Sequence, residues 1–223
     1  MEYTSTVRTT LRMAGAGTAL LAGALLLPQS AVAQACIGNP AMTGQFALGG
    51  MLSTSDGSTG YGVEARTNPG GPLALGASIS TIDVDGASDN VFQATANGAW
   101  DLGSSAFSAC PAIGVEYTQY PDDFFGFEAS SIGVPVGFAA GIQAGSGSIQ
   151  FLPSAEAGLL WQRFSTSGTA GGVTFSETDT ETDLYFRGGA TAVTGRFYGR
   201  AQLERIFHDD AENLFRFSVG LLF

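Results

Sequence analysis

Apolar residues recur at every second position along nearly all of the chain beyond residue 44, and nothing else in the sequence limits the fold so strongly. The final stretch, FRFSVGLLF at 215–223, shows the pattern cleanly. Phe215, Phe217, Val219, Leu221 and Phe223 share one parity; Arg216, Ser218, Gly220 and Leu222 share the other. Successive side chains of a strand point to opposite faces, so this period predicts a strand with one wholly apolar face. Ten such segments are predicted, at roughly 45–54, 60–67, 72–83, 91–102, 106–120, 130–144, 149–165, 183–194, 196–207 and 214–223.

The connectors between them divide by parity. NPGG, GSS, GSGS and TG follow the even segments and are short. SDGST, DVDGASDN, PDDFFGFEA, GTAGGVTFSETDTETD and HDDAEN follow the odd ones; they are longer and hold most of the acidic residues. An even strand count, short turns at one end and long polar loops at the other predict an antiparallel up-and-down transmembrane β-barrel. About ten tilted residues rise roughly 25 Å, the height of the apolar band of such barrels.

Aromatic placement is a second line of reasoning. The apolar parity sets Phe46, Trp100, Phe107, Phe151, Phe197 and Phe223 outward near the short-turn end. It sets Tyr61, Phe92, Tyr117, Trp161, Phe186, Phe207 and Phe215 outward near the long-loop end. Two rings of aromatics separated by aliphatic residues are the interfacial girdles of a membrane barrel. A soluble barrel would turn its apolar face inward.

The N-terminus predicts export, and the barrel pattern then places the chain in the cell outer membrane. Arg8 and Arg12 precede the apolar run AGAGTALLAGALLL, and SAVAQA supplies small residues for cleavage after Ala33 or Ala35. This is the layout of a secretory signal peptide, here residues 1–35. Residues 36–44 then form a periplasmic N-terminal segment and 45–223 the barrel domain. With Glu2, Arg8 and Arg12 removed, seven arginines and no lysine remain against nineteen acidic residues. That balance argues against a nucleic-acid partner.

The terminal SVGLLF resembles the signature by which outer-membrane proteins are recognised by the barrel-assembly machinery, with Gly220 and Phe223 in place. The stretch IGVPVGFAAGIQAGSGSIQFLPSAEAGLLWQ resembles small outer-membrane β-barrel proteins, including opacity-type proteins and outer membrane protein A transmembrane domains. That resemblance implies location and fold, with eight strands as the family's usual number beside the ten read here.

The inward parity carries the candidate site. Glu64 and Arg66 fall on the second segment, Glu116 on the fifth, Glu156 on the seventh and Arg187 on the eighth. Arg200 and Glu204 fall on the ninth and Arg216 on the tenth. Four acids and four arginines predict an ion-paired lumen network; the alternative is a narrow porin-like channel lined by charge. Heights counted from the short turns place Glu156, Arg187, Glu204 and Arg216 side by side on adjacent strands.

Other features carry weaker expectations. Glu177, Asp179, Glu181 and Asp183 share a face if extended, and carboxylates on the outer loops suit divalent cations. His208 beside Asp209 and Asp210, with Asp83 and Asp85 on another loop, is the one catalytic constellation, and its spacing does not favour an enzyme. Cys36 and Cys110 are open to a disulfide, to lipidation of Cys36, or to two free thiols. The overall expectation is a monomer in outer-membrane lipid with a structural or surface-interaction role, without cofactor or catalytic residues.

Overall fold

The protein is described by a computed structural model covering residues 35–41, 45–86, 89–102, 107–121, 127–145, 148–170, 173–208 and 213–223. Ten antiparallel strands close into one barrel, each beside its sequence neighbours. They are β1 (Phe46–Ser55), β2 (Ser58–Gly70), β3 (Leu73–Val84), β4 (Val91–Trp100) and β5 (Phe107–Tyr120), followed by β6 (Glu128–Ile142), β7 (Ile149–Ala170), β8 (Val173–Thr194), β9 (Phe197–Phe207) and β10 (Asn213–Leu222). Short strand-to-strand connections favour this meander, since consecutive antiparallel strands need no crossover. Closure is made where β10 meets β1, with Ala47 opposite Leu222 and Thr54 opposite Phe215. Phe46 and Phe223 exchange hydrogen bonds, N to O, of 3.2 and 2.8 Å, so the terminal residue finishes the seam. No edge remains in the barrel wall.

The period-two pattern becomes an inside and an outside. Along β10, exposure alternates residue by residue from Asn213 to Leu222. Thirty large hydrophobic side chains are exposed among the described residues, an apolar surface that only lipid or another protein would cover. All thirteen aromatics assigned to the two girdles are among them. Many buried positions are instead small or polar: Ala47, Ala74, Ala139, Ser80, Ser131 and Thr191 are each at most 5% exposed, although Leu152 and Leu160 are buried too. A fold that buries serines and threonines while exposing phenylalanines has its apolar solvent outside.

Two local features follow from particular residues. Opposite Val134 and Pro135, the β5–β6 ladder skips Gly114 and Val115. Proline has no N–H to give, so a ladder bond is missing there. In β2 the register shifts between Thr67 and Gly70, a bulge next to the turn into β3.

Connector length departs from the sequence expectation. The first and seventh connectors shrink to two residues, 56–57 and 171–172, because their strands continue. The stretch 166–182, expected as a loop, belongs almost wholly to β7 and β8, which are 22 residues each. Ser167 of β7 still pairs with Glu128 of β6. On its other side β8 is paired with β9 only as far as Leu184, opposite Phe207. A hairpin ribbon therefore rises past the barrel rim. Its threonines and acids alternate with one another and carry no apolar signal, so backbone pairing sets its length.

Candidate functional site: the lumen and its lower mouth

The lower end of the barrel is the one holding Phe46, Phe223 and the turn residues 71–72 and 195–196. Residues 35–41 lie inside it. Ala35, Cys36, Asn39 and Ala41 have no exposed surface. Ala35–Ile37 form a single 3-10 turn, and Gly38 follows at φ 60°, a left-handed conformation that glycine adopts without cost. The Gly38 N–H closes that turn on the Ala35 carbonyl at 3.0 Å.

Contacts from this segment reach walls all round the mouth. Cys36 is joined to Cys110 of β5 by a disulfide. On β6, Gly141 meets the Ala35 carbonyl so closely that an added Cβ would lie 2.0 Å from its oxygen. From β8, the Thr191 hydroxyl donates to the Gly38 carbonyl at 2.8 Å. Arg200 of β9 donates to the Ile37 carbonyl at 3.4 Å. Asn39 donates to the Thr67 carbonyl of β2 at 3.2 Å and accepts from the Ala41 N–H at 3.0 Å. A seven-residue segment held by five strands is a plug. Cys36, Cys110 and Asp101 also lie close enough together to suggest a metal site, but both sulfurs are spent in the disulfide. Asp101 accepts instead from the Ser108 hydroxyl at 2.9 Å.

Above the plug the inward charges form two groups. The lower centres on Glu64, which is buried. Arg66 stands 3.1 Å from Glu64 Oε2 and Arg200 3.7 Å from it, while the Tyr198 hydroxyl donates to Oε1 at 3.0 Å. The upper centres on Arg187. Its guanidinium touches Glu116 of β5 across the lumen, stands 3.0 Å from Glu204 Oε2 and reaches Glu156 at 3.9 Å. Arg216 meets the same Glu204 oxygen at 3.0 Å. Glu156 accepts from the Tyr185 hydroxyl at 2.5 Å, and Arg187 lies over the Tyr185 ring, 4.9 Å from its centre.

The structure thus brings all eight charged positions singled out from the sequence into two clusters. The arrangement differs in detail from four charges in a row. Glu156 and Glu204 are indeed the cross-strand neighbours of Arg187. Arg216, however, pairs in register with Gln202, two residues below Glu204, and leans up to reach it. Glu116, from a strand that is not adjacent, also meets Arg187. Counting heights on neighbouring strands does not reveal contacts across a lumen.

Tyr185 and Tyr198 were not legible as site residues. Both point inward, 2% and 3% exposed, and each ring lies over a pair of glycines. An added Cβ at Gly137 would come within 2.5 Å of the Tyr185 hydroxyl, and one at Gly49 within 2.2 Å of that of Tyr198. Gly220 is part of the second pair, 2.6 Å from the Tyr198 ring by the same measure. Glycine opposite inward tyrosine was the available signal. Between the two clusters is a cavity of about 50 Å³ lined by Glu64, Arg66, Asn97, Glu116, Arg187 and Arg216. It is large enough to hold water.

The remaining sequence candidates lie elsewhere. His208 is exposed at the top of β9, and Asp83 and Asp85 are exposed at the top of β3, with three strands between them around the barrel. Asp209 and Asp210 lie outside the described residues, as do the signal peptide up to Gln34 and cleavage after Ala33. Glu177, Asp179, Glu181 and Asp183 are on the ribbon, paired with Thr166, Phe164, Gln162 and Leu160.

No family model matches the chain, and no curated protein matches it. Among solved structures it is similar to the N-terminal β-barrel domain of Pseudomonas aeruginosa OprF, at 11% identity and a TM-score of 0.39, over 81% of this chain and 98% of that one. It is similar to Ail, the attachment invasion locus protein of Yersinia pestis, in complex with the heparin analogue sucrose octasulfate, at 9% identity and 0.43, over 80% and 95%. A third is the outer membrane protease OmpT from Escherichia coli, at 7% identity and 0.48, over 80% and 94%. Likeness at this level transfers no activity, ligand or partner to the chain.

Proposed function

We propose that this chain is an outer-membrane β-barrel whose lumen is closed and whose role is structural or surface-interacting. The observation that carries the reading is the lower mouth, where residues 35–41 are buried and held by five strands under two ion-pair clusters. A pore needs a continuous wet path. Here the path meets a covalently tethered plug and arginines whose charges are matched by carboxylates.

The exposed apolar band with its two aromatic rings supports residence in lipid, with the lower end at the periplasm and the ribbon outside. Outer-membrane lipids are then its solvent and the barrel-assembly machinery its partner in biogenesis, through Gly220 and Phe223. The closed wall favours a monomer, and the exposed outer carboxylates suit divalent cations. Nothing in this reading calls for a cofactor, a nucleic acid or a catalytic centre.

A narrow channel is the second reading, favoured by the charge-lined cavity above the plug. Vesicles loaded with a large polysaccharide and carrying the refolded protein separate the two. Placed in small sugars or amino acids, they are expected to swell no faster than empty vesicles. Swelling that falls off with solute size would establish the channel.

A further inference from the structure

We propose that the free edge of the ribbon, Val173–Asp183 of β8, docks an extended segment of another protein that carries Arg or Lys at every second position. It rests on the reading above only for the side of the membrane on which the ribbon stands.

The edge is defined by pairing. Every residue of β8 from Val173 to Asp183 pairs with β7, from Ala170 to Leu160. Among the described residues β9 meets β8 only from Leu184 onward. Along these eleven residues every second one turns its N–H and C=O away from β7, about five such pairs, of which the Thr180 N–H is already taken by the Asp179 carboxylate at 2.8 Å. A row of this kind is a template for one more strand. At about 3.4 Å per residue it is roughly 35 Å long, enough for a partner of about ten residues.

Side chains select which strand. Glu177, Asp179, Glu181 and Asp183 share one face of β8, and Thr174, Ser176, Thr178, Thr180 and Thr182 share the other. The β7 residues opposite the four acids are Thr166, Phe164, Gln162 and Leu160, none of them a cation. An added strand would put its own side chains about 5 Å from these carboxylates, the distance at which opposite charges stabilise a pair and like charges oppose it. A second copy paired antiparallel to this edge would bring further acids to the same face, which opposes that pairing. A strand with cations at alternate positions meets the exposed carboxylates of Glu177, Asp179 and Glu181 in turn, and its intervening residues lie over the threonine face.

The test uses the full-length refolded protein in nanodiscs with chelator present. The probe is a synthetic peptide of about ten residues in which threonine and arginine alternate, and the control has the same residues in two blocks. Strand addition is expected to slow amide exchange at 173–183 by at least about tenfold, because the free N–H groups gain partners. The block peptide is expected to bind at least about tenfold more weakly, since only alternation matches the pleat. The combined change Glu177→Gln, Asp179→Asn, Glu181→Gln touches exposed side chains only and is expected to remove the binding without altering the barrel's heat-shifted mobility on a gel. Equal binding of the two peptides, or binding with no amide protection, would show mere charge attraction and overturn the proposal. Undiminished binding by the neutralised variant would overturn it as well. A conducting lumen would defeat the closed-barrel reading but leave this result as it is.

Discussion

Arg187 is the residue on which the interior depends most. Three carboxylates on three strands face it, and it is only 8% exposed. Removing a buried charge strands its partners, which typically costs about 3 to 5 kcal/mol. Arg187→Met is therefore expected to lower stability by about that much in urea unfolding of the refolded barrel. Adding Glu116→Gln is expected to recover part of the loss, with a coupling of about 1 to 3 kcal/mol. Adding Glu156→Leu is expected to recover less, since Glu156 stands 3.9 Å off and is already bonded to Tyr185. Strict additivity in the Arg187–Glu116 cycle would mean that the two do not meet. Gly220 and Phe223 make a contrasting pair. A methyl group at Gly220 would lie 2.2 Å from the Leu48 carbonyl, whereas Phe223 is 66% exposed. Gly220→Ala is expected to impair refolding in detergent with no cellular machinery present. Phe223→Ala is expected to refold there and to fail only in assembly in cells. The opposite pattern would place the recognition signal at Gly220.

At the scale of elements, strands were legible wherever side chains differ in polarity from one residue to the next. β10 is visible in the sequence because phenylalanine alternates with arginine, serine and glycine. The outer half of β8 is not, because threonine alternating with glutamate and aspartate gives no hydrophobic contrast for a period to act on. The inward charges could be picked out by parity, yet the contact between Glu116 and Arg187 depends on barrel closure, a long-range property. The plug was legible only as two cysteines open to a disulfide. Its disulfide closes a loop with a sequence separation of 74 residues. A bond closing so long a loop contributes about 2 to 4 kcal/mol, and the double change Cys36→Ser, Cys110→Ser is expected to lose that much. Non-reducing peptide mapping of protein taken from the envelope is expected to find one cross-linked pair. Two free thiols, or a lipid on Cys36, would contradict the tether.

The whole molecule joins an outside that suits lipid to a lumen that holds paired charges and a plug. Ten strands close the backbone, thirty exposed hydrophobic side chains among the described residues coat it, and the lumen holds paired charges and a plug. The acidic residues, outside this wall, gather on the outer connectors and the ribbon, where contact with the surroundings is possible. Single-channel recording in a planar bilayer tests the closed lumen most directly, first on the native protein and then on the Cys36→Ser, Cys110→Ser variant. The native protein is expected to give no unitary steps at any holding potential, and the variant brief openings as the untethered segment leaves the mouth. Stable unitary conductance from the native, fully oxidised protein would contradict the account.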